Sequence, residues 1–182
     1  MTHRPLPPHT ISPYDGTKRT VDAMLKMADG PRGAQSLRLR TLVESIIRDI
    51  DPRDKLSQLA AIYHWYETHH TYTYDPIPTE LVRDPVRVIE DIEEKGRFLG
   101  DCDDAATFIT GAARSIGIRA YPVRVGFRKP MTYQLGGVSM QGPSPFSHVF
   151  AVAKDQYGRT VAIDPVAGDR TWRMLRRTKT FG

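Results

Sequence analysis

The chain has 182 residues, 40% hydrophobic and 26% charged, a balance typical of a single soluble globular domain. Its net charge of +5 is too modest to indicate a nucleic-acid-binding protein by itself, and no run approaches the roughly 18 apolar residues of a membrane span. The single cysteine excludes an internal disulfide and a multi-thiolate zinc site. Because the start lacks the apolar core of a signal peptide and an active thiol needs reducing conditions, we expect a cytoplasmic protein at synthesis.

The beginning of the chain is predicted to be an extended arm. Residues 1–16 contain four prolines and few large apolar side chains. Apolar residues at helical spacing follow and stop at Gly30, which indicates a short helix. We therefore divide the chain into residues 1–35, the arm with its short helix, and residues 36–182, the main domain.

Three further helices are predicted in the middle of the chain. The first begins at the N-cap Ser36, the second has Pro52 at its first position, and the third begins at Pro85. The His69-His70 pair after the second helix is interpreted as an exposed helix end, because no convergent spacing of other ligands supports a metal site.

The only cysteine lies in the run 100–109, where a glycine-containing loop changes to an apolar helical pattern. Asp101 is a good N-cap, and Asp104 stands three places on, as in a capping box with aspartate in the glutamate position. This predicts Cys102 as the first residue of a helix that reaches Ile116. A thiol there faces unpaired backbone N–H groups and the positive end of the helix dipole, which favours thiolate. The alternative is a packed small residue.

After this helix the apolar period changes to two. Strands are predicted over Ala120–Phe127, Phe146–Ala153 and Thr160–Ile163, with a short strand at Trp172–Leu175. Residues 128–145 are rich in glycine, proline and serine, which predicts a loop. Helices followed by an antiparallel sheet indicate an α+β fold, with N-terminal helices packed on a small antiparallel sheet.

The predicted hairpin carries two polar residues that could take part in catalysis, His148 and Asp164. Strict alternation places His148 with Phe146 and Phe150 on a face directed at the packed layer, where a structural histidine is more common than a catalytic one. Asp164 at the end of the third strand is typical of a turn. Their separation of 16 residues nevertheless places them at the same end of the hairpin. With Cys102 they form the three groups of a nucleophile, base and orienter set.

Four segments together resemble the transglutaminase-like cysteine peptidase superfamily, and the resemblance covers roughly residues 36–170. It implies a papain-like α+β fold with Cys102 as nucleophile, His148 as base and Asp164 as orienter. It also implies hydrolysis of amide or thioester bonds, or transfer of the acyl group to an amine. The matching segments are 100–107, 116–125, 147–150 and 162–165, with 72–76 and Asp84-Pro85 similar to bacterial members.

The resemblance does not identify the side chain that completes the oxyanion site, because no tryptophan lies near Cys102 in the sequence. The Cys102 N–H is one expected donor. Tyr72 and Tyr74 are candidates for the other, with packed strand aromatics as the alternative, and Tyr133 in the 128–145 loop is a candidate substrate contact. We predict no cofactor and no metal.

The sequence thus predicts a cysteine hydrolase or acyltransferase that acts through a thioester acyl-enzyme on a peptide, a protein or a cell-wall peptide. Short stand-alone members similar to this chain occur in bacteria and bacteriophages, so the resemblance also suggests a phage-encoded, virion-associated protein. The alternative is a structural or adaptor virion protein that binds partner chains through residues 1–16 and its basic end. Nucleic-acid binding depends on that end alone and is not favoured. The basic end contains Arg170, Arg173, Arg176, Arg177 and Lys179.

Overall fold

The fold, a computed structural model, is described for residues 9–11, 16–75, 80–126, 131–135, 138–142 and 146–166, and its side chains for 19–75, 81–124 and 148–166. Five helices lie within these ranges. They are α1 (Gly16–Asp29), α2 (Leu37–Ile46), α3 (Lys55–His69), α4 (Pro85–Lys95) and α5 (Cys102–Ser115).

The strands of the described residues form one three-stranded sheet and three smaller pairs. The larger sheet is antiparallel in the order β5-β8-β9. The pairs β1-β3 and β6-β7 are antiparallel, whereas β2-β4 is parallel. Helices packed on a small antiparallel sheet confirm the predicted α+β class. The strands are β1 (His9–Ile11), β2 (His70–Tyr72), β3 (Glu80–Val82), β4 (Phe98–Gly100), β5 (Ala120–Gly126), β6 (Met131–Leu135), β7 (Val138–Gly142), β8 (Phe146–Lys154) and β9 (Thr160–Ile163).

Helix α5 is the centre of the core. It is buried around almost its whole circumference, so its sequence is apolar or small on every face rather than along one stripe. Phe108 of α5 stacks on Trp65 of α3 with ring centroids 5.5 Å apart, and Ala151 and Ala153 of β8 join the same apolar cluster. Gly111 allows close helix packing, because a Cβ there would lie 2.9 Å from Pro85. The start of α5 is therefore held in a fixed position against β8.

The predicted start of the second long helix is wrong by three residues. Helix α3 begins at Lys55, and its N-cap is Asp54, whose carboxylate accepts the Ser57 N–H at 3.1 Å. Pro52 lies in the preceding turn, where Asp51 accepts the Arg53 N–H at 2.8 Å. An aspartate that captures an N–H three residues on is a stronger start signal than a proline at a first position.

The N-caps predicted for the other two helices are confirmed. The Ser36 hydroxyl accepts the Leu39 N–H at 3.4 Å, and the Asp84 carboxylate accepts the Arg87 N–H at 2.8 Å directly before Pro85.

The predicted loop 128–145 is wrong over most of its length. It contains β6 and β7, which pair so that Tyr133 lies opposite Met140 and Leu135 opposite Val138. Gly136-Gly137 between two runs of strand formers is a hairpin signal. The prediction gave more weight to the abundance of glycine and proline in the segment. Residues 128–130 and 143–145 lie outside the described residues.

The chain ends are described only in part. Within the predicted arm, residues 9–11 form β1, which pairs with β3, and the rest of the arm up to residue 15 lies outside the described residues. The predicted strand at Trp172–Leu175 and the basic end also lie outside them. In the part of the chain that is described, no helix has both the length and the apolar composition needed to cross a membrane.

Candidate active site

Cys102 is the first residue of α5, as predicted. The N-cap Asp101 accepts the Asp103 N–H at 3.1 Å, and the cysteine side chain is half-buried at the edge of the core. The first N–H groups of a helix have no carbonyl partner within it, so they are directed at the region in front of the sulfur. This is the environment that favours a thiolate and a bound oxyanion.

The capping-box prediction for Asp104 is wrong. Its carboxylate accepts the Arg83 N–H at 2.8 Å and forms an ion pair with the Arg83 guanidinium, instead of returning to the start of its own helix. Asp104 is fully buried, and Arg83 also lies over the ring of Phe98, 5.7 Å from its centroid. Because a cation is paired with this carboxylate, Asp104 opposes a thiolate at Cys102 less than a free carboxylate would.

Gly100 makes this arrangement possible. A Cβ at this position would lie 2.5 Å from the Asp104 carboxylate and 2.4 Å from the ring of Phe98. Any other residue at position 100 would therefore displace either the buried ion pair or the ring of Phe98.

His148 and Asp164 form a direct pair. The His148 Nε2 lies 2.6 Å from Asp164 Oδ2, and the other carboxylate oxygen accepts the Val166 N–H at 3.1 Å. Asp164 is buried, whereas one-fifth of the His148 side chain is exposed. Cys102 lies beside the same ring, where its side chain contributes to the raised pKa of His148, and since Asp164 holds Nε2, the ring nitrogen left for the sulfur is Nδ1. The structure thus brings the three predicted residues together, while their catalytic roles remain predictions.

The strand register explains how Asp164 reaches His148. Ala151 lies opposite Ile163, so Asp164, one residue further, reaches diagonally across the strand pair to His148. A register shift between Val125 and Gly126 of β5 skips Ser147, which places a bulge directly before the histidine.

The predicted placement of His148 towards the packed layer is not what the structure shows. The β8 side chains that join the core around α5 are Ala151 and Ala153, which alternate with the partly exposed His148. His148 does share a face with Phe150, whose ring centroid lies 6.1 Å away, but that face is not the one directed at α5. His148 is therefore open to a substrate, which a core histidine would not be.

His148 is positioned to carry a positive charge. Its hydrogen bond to Asp164, and to a smaller extent the neighbouring Cys102 side chain, raises the pKa of His148 to about 10, against the opposing effect of burial. At neutral pH the ring is then protonated, and a cation beside the sulfur stabilises a thiolate. The arrangement can therefore hold a thiolate–imidazolium pair.

Of the three tyrosines singled out in the sequence, Tyr72 lies near the sulfur. Burial raises the pKa of Tyr72, and the neighbouring Cys102 raises it further, so its hydroxyl stays protonated and can donate a hydrogen bond. Tyr74 is 81% exposed and packs edge-on against Tyr72 at 5.0 Å. Tyr133 is on β6, and its side chain lies outside the described residues.

Three carboxylates lie beside this region. Oxygens of Asp75, Asp101 and Asp103 are within 4.8 Å of one another, an arrangement that the sequence pattern did not indicate. Asp75 accepts the Leu81 N–H, and Asp101 accepts the Asp103 N–H, so both already bind donors of the protein. A cluster of carboxylates alone does not define a metal site, and we assign no ion to it.

The prediction of an exposed helix end is wrong for His70. It is half-buried, its Nε2 lies 2.9 Å from the Gly100 carbonyl oxygen, and its ring stacks on Tyr66. His69 likewise bonds the Trp65 carbonyl, with 2.7 Å between its Nδ1 and the oxygen. Strand pairing between β2 and β4 creates the His70 contact, so no local sequence signal announces it.

Comparison with solved structures finds distant likenesses. A "putative protease" from Parabacteroides distasonis superposes with a TM-score of 0.54 at 12% identity, over 80% of this chain and 26% of that one. This chain therefore spans about a quarter of that protein's length. The periplasmic domain of TgpA from Pseudomonas aeruginosa gives a TM-score of 0.49 at 18% identity, over 87% of this chain and 52% of that one.

The family assignment comes from the sequence. No curated protein matches this chain significantly. A family model described as the transglutaminase-like superfamily matches residues 40–165, which include the nucleophile helix and the β8-β9 hairpin. Because the match covers more than half of the sequence, the chain belongs to the transglutaminase-like superfamily.

Proposed function

We propose that this protein is a cysteine hydrolase or acyltransferase in which Cys102, His148 and Asp164 act as nucleophile, general acid–base and orienter. The observation that carries the proposal is the set of side chains at the start of α5, in which Asp164 holds His148 at 2.6 Å and Cys102 lies beside the His148 ring. Thiol, imidazole and carboxylate in that order form the set that nucleophilic acyl transfer needs.

The first half-reaction forms the acyl-enzyme. The Cys102 thiolate attacks the substrate carbonyl carbon, and the carbonyl oxygen takes the negative charge. The Cys102 backbone N–H and the Tyr72 hydroxyl are the donors available to that oxygen, since the Asp103 N–H is bound to Asp101. The protonated His148 then gives its proton to the leaving amine, and a thioester remains on Cys102.

The second half-reaction releases the acyl group. Neutral His148 takes a proton from water, which attacks the thioester, and the thiolate and imidazolium are restored when the sulfur leaves. An amine in place of water gives acyl transfer. Asp164 keeps the ring in the orientation that presents Nδ1 to the sulfur in both halves.

A peptide or protein substrate suits this chemistry, and a cell-wall peptide is a narrower proposal within that class. The alternative function, a structural or adaptor protein of a virion, depends on the arm and the basic end. Apart from β1, these lie outside the described residues, so the alternative and the phage setting stay predictions from the sequence.

The proposal is tested first by alkylating Cys102 with iodoacetamide between pH 5 and 9. An ordinary thiol reacts as it ionises near 8.5, whereas we expect the wild-type protein to react rapidly already at pH 6. The matched control is His148→Gln, which keeps an N–H for Asp164 but cannot form a cation, and it should follow the ordinary profile. An ordinary profile for the folded wild-type protein would sink the proposed mechanism.

A second measurement follows acyl transfer directly. Reaction with p-nitrophenyl acetate should release one p-nitrophenolate per chain in a burst and leave an acetyl group on Cys102, visible by mass spectrometry. Cys102→Ala should abolish the burst and retain the circular dichroism spectrum of the wild type. A folded wild-type protein without a burst would favour the adaptor alternative.

A further inference from the structure

His70 occupies the junction between the two halves of the proposed oxyanion site. It is the first residue of β2, directly after α3, and its ring stacks on the buried Tyr66 with centroids 4.9 Å apart. The Tyr72 ring stands edge-on to it, 6.4 Å away at an angle of 89°. His70 thus contacts the proposed side-chain donor on one side, and its Nε2 reaches the loop before the nucleophile on the other.

The Gly100 carbonyl is the point at which these halves are joined. Its oxygen lies 2.9 Å from His70 Nε2, and it also accepts the Thr73 N–H at 2.9 Å. The two donors flank Tyr72 in the sequence, and Tyr72 lies directly opposite Gly100 in the parallel pair of β2 and β4. The backbone of Tyr72 is therefore tied on both sides to a residue two places before Cys102.

We infer that His70 is a positioning residue of the oxyanion site, because its Nε2–H bond to the Gly100 carbonyl sets the Tyr72 hydroxyl relative to the Cys102 N–H. The inference rests on the proposed function, since it concerns the oxygen of an acyl group on Cys102. A small displacement between two donors that bind the same oxygen is sufficient to slow acyl transfer.

The chemistry of the contact fixes what His70 must supply. A carbonyl oxygen only accepts, so the ring must carry its proton on Nε2. Burial lowers the pKa of His70, against the opposing effects of the Gly100 bond and of Asp101, which favours the neutral ring. A neutral ring with the proton on Nε2 both donates to Gly100 and stacks on Tyr66.

Two substitutions separate the bond from the ring. His70→Phe keeps an aromatic ring against Tyr66 and Tyr72 but has no donor, whereas His70→Gln keeps a donor near the Nε2 position without the ring. His69→Gln is the matched control, because His69 is the adjacent residue and bonds the Trp65 carbonyl rather than the nucleophile loop.

The two reactions of Cys102 provide the readout. Attack on p-nitrophenyl acetate creates an oxyanion, whereas displacement of iodide from iodoacetamide does not. We expect His70→Phe to slow acylation about 10- to 100-fold while alkylation changes less than about threefold. His70→Gln should recover most of the acylation rate, and His69→Gln should resemble the wild type. Equal losses in both reactions, or an unchanged acylation rate in His70→Phe, would overturn the inference.

A measurement without substrate distinguishes failure of this inference from failure of the proposed function. Long-range proton–nitrogen NMR spectra of the imidazole ring at pH 7 should show His70 with its proton on Nε2. The amide signals of Tyr72, Thr73 and Cys102 should shift in His70→Phe but not in His69→Gln. A proton on Nδ1, or unmoved amides, would overturn the positioning role even if the wild-type protein acylates normally. If the wild-type protein does not acylate, these spectra decide whether His70 still holds the loop.

Discussion

The two sides of the candidate site are built in different ways. His148 and Asp164 belong to one hairpin, 16 residues apart in sequence and 2.6 Å apart in space. The surroundings of Cys102 instead come from separate segments, which only tertiary packing brings together. These are β2, β4 and Arg83. The hairpin side, His148 and Asp164, determines the protonation and charge of the imidazole. The nucleophile side, Cys102 and its surroundings, supplies the donors that bind the oxygen of the acyl group. Substitutions on the two sides should therefore fail in different reactions.

The largest effect is expected on the hairpin side, from Asp164→Asn. The amide retains the size of the carboxylate but removes the charged hydrogen-bond partner that contributes most to the raised pKa of His148. The imidazolium then becomes weaker support for the thiolate. We expect the acylation rate with p-nitrophenyl acetate to fall by up to about 10⁴-fold, the loss seen for the corresponding change in a serine triad.

The same variant should also slow alkylation by iodoacetamide at pH 6, because both reactions need the thiolate. This shared loss is the signature of the hairpin side. Retention of rapid alkylation in Asp164→Asn would show that the thiolate of Cys102 does not depend on the Asp164 carboxylate.

On the nucleophile side, Tyr72→Phe removes the hydroxyl and leaves the ring. We expect acylation to slow by about 10²-fold, the lower end for a lost oxyanion donor, because Tyr72 is 40% exposed and water partly replaces the hydroxyl. Alkylation should be unchanged. Tyr74→Phe is the matched control, since Tyr74 contacts the Tyr72 ring but is 81% exposed. Parallel losses of alkylation and acylation in Tyr72→Phe would erase the proposed division of roles.

The hairpin side could largely be predicted from the sequence. Two runs of strand formers around the turn 155–158 fix the pairing of β8 and β9, so simple arithmetic places Asp164 near His148. The details were less accessible. The face of β8 that packs on α5 is the one with Ala151 and Ala153, and a strand that is apolar on both faces does not indicate which face that is.

On the nucleophile side, only the local contacts could be predicted from the sequence. The N-cap at Asp101 was predictable, because capping is local. The partner of Asp104 was not, since Arg83 is 21 residues away and approaches through tertiary packing. The same holds for His70, which is 30 residues from Gly100. In the sequence, His69-His70 is typical of an exposed helix end, and only the pairing of β2 with β4 brings His70 to Gly100.

The smallest expected effect tests the charge of His148 in the absence of the thiol. Cys102→Ser removes the thiol, and the bond to Asp164 still raises the pKa of His148 above its unfolded value of 6.5. A folded state that binds the proton more tightly gains stability fully below pH 6.5 and loses it as the pH rises through the folded pKa. Without the thiol, one of the groups that raise the pKa of His148 is gone, so the folded pKa is lower than in the wild-type protein.

Urea unfolding of Cys102→Ser should therefore show a lower free energy of unfolding at pH 9 than at pH 6. We expect a loss of about 1–2 kcal/mol, since the partly exposed ring is screened by solvent. Adding His148→Gln removes the titrating group, and this part of the slope should disappear. An equal slope with and without the histidine would mean that Asp164 does not hold an imidazolium. The strand register alone would then hold His148 beside Asp164, and His148 would carry no proton to give to the leaving amine.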